Sequence, residues 1–161
     1  MKKKQTIYIV EDDQPMNSML CMFLKKQGFT HVTGFISSEK MMEVLPHNKP
    51  VIIIQDFDLP GMNGLETIRV VKDQHPNTEF IFLSGQKSIE IAIDSLKNGA
   101  FDYIIKDSFA KENVVTKINN LLKIKSLEKY KQRSKILLLV FSVFLFISWV
   151  ILLVYFFTGH A

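Results

Sequence analysis

The sequence predicts an α/β domain of five parallel strands alternating with helices, followed by one C-terminal membrane-spanning helix. Two observations carry this. Short β-branched runs recur between helical stretches as far as residue 110, whereas residues 136–161 contain no Asp, Glu, Lys or Arg. A chain of 161 residues has room for one globular domain and a short appendage, so a single core is expected.

Residues 6–10 (TIYIV) read as a strand ended by Glu11, Asp12 and Asp13. Gln14-Pro15 then opens an amphipathic helix, Met16 to Gln27, closed by Gly28. His31–Phe35 is a second strand, and Ser37 caps a helix to about Leu45, before a loop bracketed by Pro46 and Pro50. Val51–Ile54 is a continuous apolar run suited to a central strand buried on both faces. Residues 60–64 (PGMNG) form a loop before the helix Leu65 to His75. Glu79–Leu83 and Phe101–Ile105 are the last strands; between them lies the helix Ser88 to Asn98 with Gly99 after it, and a final helix begins near Ala110. Alternation with crossovers of this length implies a parallel sheet covered by helices on both faces, with ligands bound beyond the carboxyl ends of the strands.

Charge divides the chain sharply. Residues 1–110 hold 12 Lys/Arg against 14 Asp/Glu, whereas residues 111–135 hold 8 against 2. The overall +4 thus comes from a basic stretch placed before an uncharged run, which argues against a nucleic-acid-binding face. From Ile136 to Phe157 the 22 residues read ILLLVFSVFLFISWVILLVYFF. At about 1.5 Å per residue they reach roughly 33 Å, enough to cross a hydrocarbon core of about 30 Å once. Lys129, Lys131, Arg133 and Lys135 flank the N-terminal side, so the positive-inside rule keeps the preceding domain cytoplasmic. Cys21 is the only cysteine, which excludes an internal disulfide and a cysteine-based zinc site.

The chemistry is expected just after the strands. Glu11 and Asp12 follow the first, Asp56 the third, Ser84 the fourth and Lys106 the fifth. Three clustered carboxylates repel one another unless a cation neutralises them, and a hard, oxygen-seeking ion such as Mg²⁺ suits that donor set. An aspartate beside such an ion can attack a phosphoryl group while the Lys106 ammonium offsets charge on its oxygens. The Ser84 hydroxyl and backbone N–H groups after Asp56 are further donors to such a group. Singly these residues are ordinary loop chemistry; their weight lies in their order along the chain.

At this point the chain resembles the receiver domain of bacterial two-component response regulators over about residues 5–125. IYIVEDD looks like the family's first strand and acidic pair, QDFDLPGMNGLE its acceptor loop, FIFLSG its switch hydroxyl, and GAFDYIIKD its aromatic and lysine. The resemblance implies a flavodoxin-like, doubly wound sheet of order 2-1-3-4-5. It makes Asp56 the phosphoacceptor, with Glu11, Asp12, Asp56 and the backbone carbonyl of Asp58 around Mg²⁺, and Asp13 outside that shell. Ser84 and Tyr103 would be paired switch residues, and Lys106 would contact the phosphoryl group. The chain departs from the family pattern in placing Asp107 after Lys106, where proline is usual, and Gly85 after Ser84, where alanine is common.

The expected organisation is a receiver-like domain over 1–125, a basic juxtamembrane segment over 126–135, a transmembrane helix over 136–157 and a short extracytoplasmic tail over 158–161. The expected function is acceptance of a phosphoryl group on Asp56 from a histidine kinase or phosphotransfer protein at the inner (plasma) membrane. Output would pass to a protein partner, such as a membrane-associated effector, without nucleic acid. Self-phosphotransfer is the only chemistry expected. A non-phosphorylating, membrane-anchored docking scaffold of the same fold stays open as the second reading.

Overall fold

In the computed structural model the described residues are 3–86 and 88–158. They form β1 (Lys3–Val10), α1 (Gln14–Lys26), β2 (Phe29–Phe35), α2 (Ser38–Val44), β3 (Ile52–Asp56), α3 (Gly64–Gln74), β4 (Glu79–Ser84), α4 (Ile89–Lys97), β5 (Asp102–Ile105) and α5 (Ala110–Thr158). The strands pair in the order β2-β1-β3-β4-β5, every pair parallel, as the α/β alternation and the resemblance led us to expect.

Local chemistry starts α1 to α4. The side chains of Asp13, Ser37, Asn63 and Ser88 accept the backbone N–H three residues on, at 2.7, 3.3, 3.0 and 3.3 Å, covering donors that the first turn leaves unpaired. Glu66 returns the bond to the Asn63 N–H and completes a capping box. Gly28 and Gly99, with φ of 91° and 94°, end α1 and α4 in a conformation that costs other residues more.

Strand side chains alternate between faces. Tyr8, Val10, Ile53, Phe80 and Phe82 pack with Met41, Leu45, Ile68 and Val71, the inward residues of the α2 and α3 segments. Ile7, Ile9, Ile52, Ile54 and Ile81 alternate to the other face and are fully buried, as are Leu20 and Leu24 of α1 and Val114 and Ile118 of α5. All five residues of β3 are buried, which suits a central strand covered on both sides.

Two of the five, Gln55 and Asp56, are polar. Gln55 donates to the Ser38 and Thr67 hydroxyls, both at 3.1 Å, and Ser38 donates to the Met62 carbonyl at 3.2 Å. Met62 N–H in turn donates to Glu39 at 2.9 Å. The loop after Asp56 is thereby stitched to the start of α2.

β3 and β4 run further than polarity suggests, because the ladder continues to Asp56 opposite Leu83 and to Ser84 opposite Ile105. β1, β2 and α1 likewise begin earlier than expected.

A second compact unit comprises residues 120–161. Its helix continues to Thr158, and its large apolar side chains from Ile136 to Ile151 stand 49–71% exposed where described. By length and composition α5 is able to cross a membrane, with a mean hydropathy of 1.4 and none of its apolar window buried. Of the expected tail, residues 159–161 lie outside the described residues.

Ile53 is fully buried between neighbouring strands. Ile53→Ala is expected to destabilise the domain by about 2–5 kcal/mol, read from urea unfolding followed by circular dichroism.

Candidate functional site

Parallel register brings the chemistry to one edge. Val10 pairs with Gln55, so Glu11 and Asp56 are the next residues along. Asp56 pairs with Leu83 and Ser84 with Ile105, so Ser84 and Lys106 extend the same row. Four residues scattered over nearly 100 positions of sequence therefore meet beyond the strand ends.

Glu11, Asp12 and Asp56 offer carboxylate oxygens that all lie within 4.8 Å of one another. Glu11 and Asp56 are 2% and 6% exposed, while Asp12 faces solvent. Lys106 reaches across the row: its Nζ donates to Asp56 Oδ2 at 2.6 Å and to Glu11 Oε1 at 2.9 Å. Glu11 Oε2 lies 2.7 Å from the same nitrogen, yet no hydrogen bond from the described residues reaches it. Asp107 takes no part, since its carboxylate accepts the Phe109 N–H at 2.8 Å, and the described residues contain no cis peptide. Lys106 thus points into the acidic row with aspartate in the usual proline position.

Asp58 makes further contacts through its N–H and side chain. Its N–H donates to Asp56 Oδ1 at 3.2 Å, and its side chain turns toward β4, accepting the Ser84 hydroxyl at 3.2 Å and the Gln86 amide at 2.9 Å. Gln86 N–H donates to Ser84 Oγ at 3.0 Å, and the Tyr103 hydroxyl donates to the Gln86 carbonyl at 3.0 Å. Ser84 and Tyr103, expected as a pair, are joined through Gln86. The sequence carried no signal for Gln86, because its contacts are tertiary.

Asp13, one of the three acids after β1, caps α1; the signal was present in an aspartate just ahead of Gln14-Pro15. Asn17 was also missed. Buried on α1, its Nδ2 donates to the carbonyls of Glu11 and Phe35 at 3.0 and 2.8 Å, and so fixes the backbone that carries Glu11. Gly34 makes this close approach possible, since a Cβ there would sit 2.0 Å from Asn17 Oδ1.

The donor set fits a hard divalent cation. Three carboxylates converge, and a single ammonium reaches only two of them, Glu11 and Asp56. Glu11, Asp12 and Asp56 would hold the ion with the Asp58 carbonyl, and the ion would supply positive charge to phosphoryl oxygens. Burial pushes Glu11 up to about 7; the Lys106 bond opposes this and the Asp56 charge adds to it. Burial alone would lower Lys106, but its bonds to Asp56 and Glu11 outweigh that and leave it raised.

A carboxyl raised in the folded state contributes stability that is present in full below its ordinary value of 4.5 and is lost as pH rises through about 7. In chelator, unfolding free energy is expected to fall between these pH values. Glu11→Gln should flatten that fall, and Mg²⁺ should reduce it, as read from urea titrations at successive pH.

Comparison with known proteins agrees with this geometry. The family model of the response regulator receiver domain matches residues 7–119. The DNA-binding transcriptional regulator NtrC of Escherichia coli K12 is 29% identical over 100 residues, covering 62% of this chain and 21% of its own. The transcriptional regulatory protein FixJ of Bradyrhizobium diazoefficiens is 28% identical over 106 residues, covering 66% and 51%. The chain spans about a fifth of NtrC and half of FixJ. Among solved structures, a CheY-like receiver domain protein of Methanospirillum hungatei superposes with a TM-score of 0.71 at 24% identity, covering 78% of this chain and 99% of its own. A receiver domain protein of Clostridium thermocellum gives 0.70 at 25%, covering 76% and 98%. The chain therefore belongs to the response regulator receiver domain family.

Proposed function

We propose that the chain is a membrane-tethered receiver that accepts a phosphoryl group on Asp56 from a histidine kinase or phosphotransfer protein and passes the signal to protein partners. The observation that carries this is Asp56 itself, nearly buried at the end of β3, beside Glu11 and Asp12, and touched by Lys106 at 2.6 Å. An Asp56 oxygen attacks the phosphorus of a phosphohistidine. The P–N bond breaks with its electron pair going to the imidazole, which takes up a proton, and an acyl phosphate forms on Asp56. Lys106 balances the charge developing on the phosphoryl oxygens, and Glu11, Asp12 and Asp56 would hold a Mg²⁺ that would add positive charge there. Ser84 supplies a hydroxyl to one oxygen, and Tyr103 responds with it as the paired switch residue. Nothing but this self-modification is required of the domain as chemistry.

Beside the acids, a cleft of about 560 Å³ opens at the start of α1 and the β5–α5 loop, lined by Met16, Met19, Ala110, Lys106 and Lys111 among others. Its apolar floor next to charged walls suits a donor protein's helix bearing the phosphohistidine. Paired Lys106 and the acidic row support the phosphoacceptor over a scaffold of the same fold.

Tethering is supported by the uncharged, exposed apolar helix from Ile136, and cytoplasmic placement of the domain by the basic residues before it. The organisation proposed is a receiver over 1–125, a basic segment over 126–135 and a span over 136–157 followed by an extracytoplasmic tail, at the inner (plasma) membrane. The chain itself binds no nucleic acid in this reading. Its output is a protein contact, for which a membrane-associated effector is well placed.

The full chain in detergent, incubated with Mg²⁺ and acetyl phosphate, is expected to gain one phosphoryl group by intact mass. Asp56→Asn and a Mg²⁺-free control should gain none, and Lys106→Met should slow uptake at least about tenfold. No gain from acetyl phosphate or from kinases would leave the scaffold reading. Separately, alkaline carbonate should leave the full chain in the membrane pellet and release a chain ending at Lys135.

A further inference from the structure

The inference that follows rests on the phosphoacceptor reading, in which Ser84 must give a proton to a phosphoryl oxygen. A serine hydroxyl has one proton to give. In the structure that proton is already committed, because Ser84 Oγ donates to Asp58 Oδ2 at 3.2 Å while accepting the Gln86 N–H at 3.0 Å. The other oxygen of the same carboxylate, Oδ1, accepts the Gln86 side-chain amide at 2.9 Å. Asp58, two residues beyond the acceptor, thus grips the end of β4 at Ser84 and the loop beyond it at Gln86, and its own N–H is bonded to Asp56. Tyr103 joins the same segment through its hydroxyl bond to the Gln86 carbonyl.

We propose that Asp58 and Gln86 are positioning residues forming a latch that keeps the Ser84 proton on Asp58, so that phosphoryl transfer to Asp56 requires the latch to open. Two effects open it. An incoming phosphoryl group brings negative charge close to the Asp58 carboxylate and repels it before the bond to Asp56 is made. The same group presents oxygens that compete for the single proton. Room for the movement exists at Gly85, where an added Cβ would meet nothing within 4 Å. Gln86 transmits the opening to Tyr103, because the residue that loses its hold on Asp58 is the residue whose carbonyl holds the Tyr103 hydroxyl. The departure from alanine at Gly85 then falls at the hinge of the latch.

The test is a double-mutant cycle on the full chain in detergent, with acetyl phosphate at saturating Mg²⁺ and uptake followed by intact mass. Asp58→Ala retains the backbone carbonyl and frees the Ser84 proton, so uptake should accelerate about three- to tenfold, the range expected for one hydrogen bond released. In a Ser84→Ala background the same substitution should change nothing further. Gln86→Ala, which leaves every acid in place, should accelerate uptake in the same direction by less. Before any donor is added, the Gln86 amide should exchange hydrogen faster in Asp58→Ala than in the unsubstituted chain. Equal effects of Asp58→Ala with and without the Ser84 hydroxyl, or unchanged Gln86 exchange, would overturn the latch alone. Absence of uptake in every form, the unsubstituted chain included, would overturn the acceptor reading and the latch's role with it.

Discussion

One ammonium group holds two nearly buried carboxylates at the end of the sheet, and the rest of the site is arranged around that pairing. Glu11 and Asp56 lie 95 and 50 residues from Lys106, so their meeting exists only in the folded chain. Buried carboxylates without a counter-charge are costly, and removing one partner of such a group leaves an uncompensated charge worth about 3–5 kcal/mol. The fold therefore has to deliver Lys106 reliably, although β5 is only a four-residue edge strand. It does so with ties outside the ladder. Asp102 is paired with Lys117 of α5 at 2.6 Å, and Asp107 is turned away to hold the Phe109 N–H.

The opposite side of Asp56 is held by neutral groups. Gln55 is fully buried directly before Asp56, and its amide joins Ser38 at the start of α2 to Thr67 on α3. Such a network in a core is expensive unless satisfied, and here the Gln55 Oε1 alone lacks a partner among the described residues. Charge fixes Asp56 from one side and polar stitching fixes its loop from the other. What lies between them, the segment from Ser84 to Gln86, runs from a fully buried serine to an exposed glutamine.

How much of this was legible in the sequence differs by residue. The strands announced themselves because parallel, doubly covered strands must be apolar, as in residues 51–54, and strand order followed from the resemblance. The acids and Lys106 were legible because each follows such a run. Strand ends were misjudged where polarity was taken for exposure: Gln55 and Ser84 are polar, fully buried and part of the ladder. The contacts of Asp58 with Ser84 and Gln86 span 26 and 28 residues and depend on side-chain direction, which no local pattern encodes. Asp13 was legible as a cap yet hidden among neighbouring acids.

Asn17 and Gly34 carry a consequence for how this chain can change by mutation. The two positions share one small volume, since any side chain at 34 would overlap the Asn17 amide oxygen. Shortening residue 17 first leaves the Glu11 and Phe35 carbonyls without its amide, while enlarging residue 34 first drives the amide out of place. Each single step is harmful, and only the pair can be exchanged. The two sites thus form an epistatic lock beneath the acidic row, one that confines the routes by which the domain can drift.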